Sequence, residues 1–212
     1  MSLGSKIQAN HAGTSLSNVD FPMIYIADFT ERTKLLPIKR HVEITPSQQA
    51  DPNDATGATL MDSLMVHNVN GFSVEILLLD DNVFTNVVTG RAHPNQHCEG
   101  CFAINAASSP KWVAFMELKD CADGSPFLAK HALKAKRQIY NVIQDLRARK
   151  IITTEKLFGI ISWPQVKVSF NDMIIGADMY AATRYKRFTG VTFYGTNEAF
   201  IISEELIRPN IV

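Results

Sequence analysis

Between Ser125 and Lys150 the apolar residues Leu128, Ala132, Ala135, Ile139, Val142 and Leu146 recur at alternating intervals of four and three, which puts them on one seam of a helix. Ser125 is suited to capping that helix, and Pro126 falls at the first helical position, where a missing N–H costs nothing. Apolar runs stand on both sides, Trp112 to Leu118 before it and Leu157 to Ser162 after it. A parallel pair of strands needs a crossover of about a dozen residues or more, usually a helix. The pattern therefore predicts strand, helix, strand, with the helix laid on a sheet.

Other segments extend this frame. Phe21 to Ala27 reads as a short strand with Pro22 at an edge-tolerated place, and Ser47 to Gly57 as a polar loop. Leu60, Met61, Leu64 and Met65 have the spacing of one helical face, closed by the turn residues Asn70-Gly71. Phe72 to Leu79, dense in Val, Ile and Leu, suits a strand covered on both faces. Phe102 to Ile104 and Trp112 to Leu118 are expected to form a hairpin through Ala106 to Lys111. A helix is expected near Asp172 to Tyr185, and a second hairpin across Gly195-Thr196-Asn197. Residues 1–20 are polar and are read as a flexible N-terminal segment, and 21–212 as one α/β domain, a central mixed β-sheet with flanking helices.

The chain has 212 residues, 46% hydrophobic and 20% charged, a balance expected to fold. Lys plus Arg and Asp plus Glu both total 21, so no global positive field draws it to a polyanion. Charge is unevenly placed, however. Lys130, Lys134, Lys136, Arg137, Arg147, Arg149 and Lys150 crowd the helical segment against one acid, Asp145. No stretch approaches the roughly 18 apolar residues of a membrane span, and the opening residues lack a secretory pattern. A soluble cytoplasmic protein with no membrane partner is the expectation. Cys98, Cys101 and Cys121 make an odd set, expected to be reduced thiols.

Chemistry concentrates at Glu117-Leu118-Lys119, where an apolar strand ends in a carboxylate and an ammonium on the same face. Charge beside a core is costly unless paired or bound to a metal. Phosphodiester hydrolysis would use both groups, the carboxylate to help hold Mg²⁺ and the ammonium to steady developing phosphorane charge. In its bland form the same tripeptide is a strand end emerging into water.

The order of elements adds to this. Strand, turn, strand ending in Glu117-Leu118-Lys119-Asp120, a helix carrying Lys134 and Gln138, and the strand Phe158-Gly159-Ile160-Ile161 together resemble the core of the PD-(D/E)XK nuclease superfamily. The resemblance spans about residues 98 to 162, with Leu60 to Leu79 as a preceding helix and strand, and so a restriction-endonuclease-like core at about 58–162 with N- and C-terminal elaborations. It implies Glu117 as metal ligand, Lys119 as catalytic lysine and Gln138 lining the site, with Mg²⁺ or Mn²⁺ as cofactor. The family's first acid is an aspartate on the preceding strand; here Glu99 is the acid at that place, the second implied ligand. A symmetric hairpin through Ser108-Ser109 sets Gly100 opposite Glu117, whereas a one-residue slip or a bulge sets Glu99 there, and both pairings fit the residues. Asp80 and Asp81 are reserve acids.

The implied activity is a divalent-metal-dependent nuclease, or a nuclease-derived DNA-binding protein, contacting nucleic acid through Lys130, Lys134 and Arg137, with a homodimer as a further expectation since many nucleases of this type act as dimers. A second reading is a catalytically silent fold serving as an assembly or interaction module. A third is a zinc-stabilised binding module, since Cys98 and Cys101 form a Cys-x-x-Cys with His93 and His97 before it and Cys121 after it, although a second ligand pair is missing. His131 is expected to be solvated or packed. Tyr180, Arg184, Tyr185, Lys186 and Arg187 form an aromatic and basic cluster able to meet a phosphate backbone.

Overall fold

The computed structural model of the chain describes residues 1–79, 85–86, 91–92, 97–106, 109–119, 128–176, 183 and 186–210. In chain order they form helix α1 (Leu3–Asn10), strands β1 (Ser15–Val19) and β2 (Met23–Asp28), the short helix α2 (Thr30–Thr33), and strands β3 (Val42–Thr45), β4 (Leu64–His67) and β5 (Val74–Leu78). Two brief strands follow, β6 (Thr85–Asn86) and β7 (Arg91–Ala92), then β8 (Gly100–Ile104), β9 (Trp112–Leu118) and the long helix α3 (Leu128–Ala148). The described elements end with β10 (Lys156–Ser162), α4 (Asn171–Ile175), β11 (Val191–Gly195), β12 (Glu198–Ser203) and β13 (Leu206–Pro209).

The crossover read from the helical seam is present. β10 pairs in parallel with β9, and α3 connects them. Ala132, Ala135, Ile139, Val142 and Leu146 are all buried, packed with Val113 and Phe115 of β9 and Leu157 of β10. The expected cap at Ser125 and Pro126 lies outside the described residues. Around this pair a six-stranded mixed sheet runs in the order β1-β5-β8-β9-β10-β11, with β5, β8 and β9 antiparallel in turn and β11 parallel to β10.

Alternation along each strand divides the core in two. Leu77, Cys101, Ala103, Val113, Phe115 and Leu157 face α1, α3 and α4. Val74, Ile76, Phe102, Trp112, Ala114 and Met116 face the other way, against a second mixed sheet of order β13-β12-β4-β2-β3, which contributes Ile24, Ile26, Leu64, Val66, Ala199 and Ile201. The described helices therefore cover only one face of the central sheet, and the second sheet covers the other. Each fully buried large side chain in these layers contributes about 1.5–3 kcal/mol relative to exposure. No helix among the described residues is long and apolar enough to cross a membrane.

Three local expectations are corrected. Residues 59–65 do not form a helix; β4 begins at Leu64, with Leu64 and Val66 inward and Met65 and His67 outward, between β2 and β12. Leu60, which the helical reading would bury, is 49% exposed. Short apolar runs fit either period, and pairing with two neighbouring strands selected the extended form. Across Gly195-Thr196-Asn197 there is no hairpin: β11 pairs with β10 in the first sheet, and β12 pairs with β4 and β13 in the second. The segment carries the chain between sheets, held by Asn197 Nδ2, which donates to the Trp163 and Val166 carbonyls.

The first twenty residues are likewise structured rather than frayed. Leu3 and Ile7 of α1 are buried, and β1 completes the edge of the central sheet. Buried carboxylates engage α1 near both ends. The Gly4 N–H donates to Glu75 Oε2 at 3.0 Å, where the helix N-terminus favours negative charge. Beyond its other end, His11 Nε2 lies 2.9 Å from Asp145 Oδ2, an oxygen that also accepts from Arg149 Nε at 2.9 Å. The helix expected near Asp172 is observed as α4, and part of its expected length lies outside the described residues.

The β8–β9 register positions the candidate site. Gly100 pairs with Met116 and Cys101 with Phe115, one residue slipped from the symmetric hairpin. Gly100 also lies tight against β5, where an added Cβ would come 2.0 Å from the Leu77 carbonyl oxygen. Gly100→Ala must therefore push backbone apart, and a loss of about 2 kcal/mol is expected, readable as a lower urea midpoint. An unchanged midpoint would show that the strands separate without cost.

Candidate functional site

Glu117 is the last residue of β9 directed toward α3, at the carboxyl end of a strand whose neighbour β10 runs parallel to it. Ligands of open α/β sheets tend to bind at that end. Continuing the observed register one step past Gly100 and Met116 brings Glu99 opposite Glu117. The contact is direct, since the Glu99 N–H donates to Glu117 Oε2 at 3.1 Å. Lys119, two residues on, places its Nζ 2.5 Å from Glu117 Oε1 and 3.8 Å from Glu99 Oε1. Three of the residues singled out from the sequence thus meet at one point.

The environment is asymmetric. Glu117 has no exposed side-chain surface, whereas Lys119 and Glu99 are 21% and 26% exposed. Burial drives the Glu117 carboxyl pKa up, the Lys119 ammonium, the Glu99 N–H and Lys134 pull it back, and the net result is a rise to about 7. Burial also opposes the charge on Lys119, but Glu117, Glu99 and Asp28 outweigh it and raise the ammonium pKa. Both shifts favour the proton, so the pair is held together by a carboxyl that gives up its proton reluctantly and an ammonium that keeps its own.

Gln138 joins from α3. It is buried, and its Nε2 donates to the His97 carbonyl at 2.8 Å, fixing the turn that enters β8. Its Oε1 is buried without a hydrogen-bond partner. Lys130, Lys134 and Arg137 lie on the exposed side of α3. Lys134 is near enough to act on Glu117, and the His131 pKa is lowered by partial burial and by Lys119, Lys134 and Lys130. Asp28, Arg32, Asp62 and Gln165 share a small cleft with Lys119 on the opposite side. Nothing in the local sequence marks Asp28 or Asp62 as neighbours of this strand end; the second sheet brings them there.

The other candidates separate. Cys98 and Cys101 are buried free thiols whose pKa burial pushes up, Cys101 to about 12. Cys101 packs in the helix-side core. His93, Cys121, Asp80, Asp81, Asp120, Tyr180, Arg184 and Tyr185 lie outside the described residues, and Lys186 and Arg187 are exposed. Among the described residues no three of His, Cys, Asp or Glu converge on a point that a metal could share.

The donors nevertheless fit a divalent cation held by two protein carboxylates, an arrangement usual for Mg²⁺, which keeps several waters. The Lys119 ammonium lies close to both carboxylates, so this point favours positive charge. No protein-family model, curated protein or solved structure matches the chain.

Proposed function

We propose that the chain is a divalent-cation-dependent phosphodiester hydrolase of the PD-(D/E)XK kind, with Glu99 and Glu117 as metal ligands, Lys119 as the catalytic ammonium and Gln138 in support. The observation that carries this reading is the slipped β8–β9 register, which sets the Glu99 backbone on the Glu117 carboxylate and leaves Lys119 within 4 Å of both acids. In place of the aspartate usual in that family, Glu99 is the acid that this pairing brings next to Glu117, and the contact shown is through its backbone N–H.

Each residue has a distinct task. Glu99 and Glu117 would hold Mg²⁺ or Mn²⁺, which when bound polarises the phosphate and makes a water more acidic. The Lys119 ammonium donates to a non-bridging phosphate oxygen and balances the negative charge that grows there. Gln138 keeps the His97 turn, and with it Glu99, in position through its bond to the His97 carbonyl. Burial of Glu117 keeps water from screening these charges.

A silent version of the site has support of its own. Glu117 is fully buried, its Oε2 accepting from the Glu99 N–H and its Oε1 ion-paired with Lys119, which is also what a structural ion cluster would require. Titration calorimetry with Mn²⁺ separates the two readings. Binding to the native protein that is lost in Glu117→Ala is the expected result. Failure of the native protein to bind Mn²⁺ at pH 8 would remove the hydrolase reading and leave the assembly module.

A further inference from the structure

The exposed side of α3 combines a charge pattern with a location. Lys130, Leu133, Lys134 and Arg137 fall at intervals of three, one and three, a single stripe opposite the buried seam, and all four are exposed. Lys130 and Lys134 are a like-charge pair at i and i+4, which weakens the helix that carries them. Asp145 is the only acid on α3, and it offers no relief there. It is fully buried and bonded to His11 and Arg149.

The fold also sorts the seven basic residues of this segment, of which Lys150 is exposed just beyond the end of α3. Arg149 is taken up by Asp145, Arg147 donates to the Thr189 carbonyl at 2.7 Å, and Lys136 is half-buried on the flank. What stays on the open stripe is Lys130, Lys134 and Arg137, continued by the neutral polar residues Asn141 and Gln144. From Lys130 to Arg137 the helix advances about 10 Å, the rise of about three nucleotides of one strand. One end of the stripe adjoins the candidate site, since Lys134 and Arg137 lie one turn and one residue before Gln138, whose Nε2 reaches the carbonyl of His97, two residues from Glu99.

We infer that this face of α3 is a nucleic-acid binding surface on which Lys130, Lys134 and Arg137 each neutralise one phosphate and lead the backbone toward Lys119. The inference deepens the hydrolase reading by naming the surface that holds its substrate, yet it concerns binding, which can be measured with cleavage switched off. Among the described residues no acid falls on this stripe, and its continuity with a site suited to phosphodiesters favours a nucleic acid over an acidic protein or an anionic membrane.

The test is fluorescence anisotropy of the full chain with a labelled 30-base-pair duplex and a labelled 30-nucleotide single strand, in EDTA. Raising salt from 50 to 200 mM should weaken binding of one or both by the native protein more than binding by Lys130→Ala/Lys134→Ala/Arg137→Ala, about forty-fold more for the duplex and about twenty-fold more for the single strand, because three phosphate contacts have been removed. Lys130→Arg/Lys134→Arg/Arg137→Lys should behave as the native protein. Lys111→Ala/Lys156→Ala, at the far ends of β9 and β10, should do so too. Equal salt dependence of the native protein and the alanine triple variant overturns the inference. So does a native protein that binds neither probe at 50 mM salt, or one that uses these residues to bind phosphatidylserine vesicles but not DNA. Retained binding by a native protein that never cleaves with Mn²⁺ removes the hydrolase reading and leaves this surface standing.

Discussion

Lys119→Met is expected to slow phosphodiester cleavage about a thousand-fold while changing Mn²⁺ affinity by no more than about ten-fold. The magnitude is that of removing one preorganised donor to developing negative charge, at the upper end of what such donors contribute. Burial is the reason for that upper end, since Glu117 is fully buried and Lys119 largely so, and the local dielectric screens their charges poorly. Affinity for the cation should survive because the two carboxylates remain, and loss of the competing ammonium can tighten binding. Glu117→Gln should behave differently, losing both cleavage and cation binding. Circular DNA with Mn²⁺, assayed beside calorimetry on the same samples, provides both readouts. If Lys119→Met cleaves at the native rate, the ammonium belongs to a structural ion pair and its catalytic role is wrong.

The second large effect is one of pH on stability. The Glu117 carboxyl has its folded-state pKa raised from 4.5 to about 7. Between those values the folded protein keeps a proton that the unfolded chain has released, so stability from this group is full below about pH 4.5 and is lost as pH rises through 7. The displacement corresponds to about 3 kcal/mol. Urea unfolding of the metal-free protein should therefore give a larger free energy at pH 5 than at pH 8, and Glu117→Gln should remove most of that difference. Comparison with the variant isolates Glu117 from every other titrating group. Mn²⁺ should raise the native midpoint at pH 8 and not at pH 5, because the cation binds the form that has lost the proton. Identical pH dependence in the native protein and Glu117→Gln would mean that Lys119 and the Glu99 N–H compensate fully for burial of the ionised carboxylate.

What could be read in advance follows the range of the interactions involved. The α3 seam was legible because helical periodicity is written into successive residues, and a helix of 21 residues repeats its signal several times. The strands at Met23–Asp28, Val74–Leu78 and Trp112–Leu118 were legible for a related reason, their dense β-branched and aromatic content. Residues 59–65 were misread because four apolar positions satisfy a short helix and a strand alike, and only β2 and β12 on either side decide between them. The turn residues of Gly195-Thr196-Asn197 announce a change of direction without saying whether the next strand returns beside the last or joins another sheet.

The same division runs through the candidate site. By itself the sequence determined that a carboxylate and an ammonium share one face at the end of an apolar strand, because alternation along a strand is local geometry. It also determined that a helix rich in lysine and arginine follows. The partner of Glu117 was decided only in three dimensions. A one-residue shift exchanges Gly100 for Glu99 across from it, and that shift is a property of the β8–β9 pairing, which neither strand's own residues specify. Arg147 was likewise engaged only in three dimensions, by the Thr189 carbonyl far along the chain, whereas the Arg149–Asp145 pair is a local contact one helical turn apart.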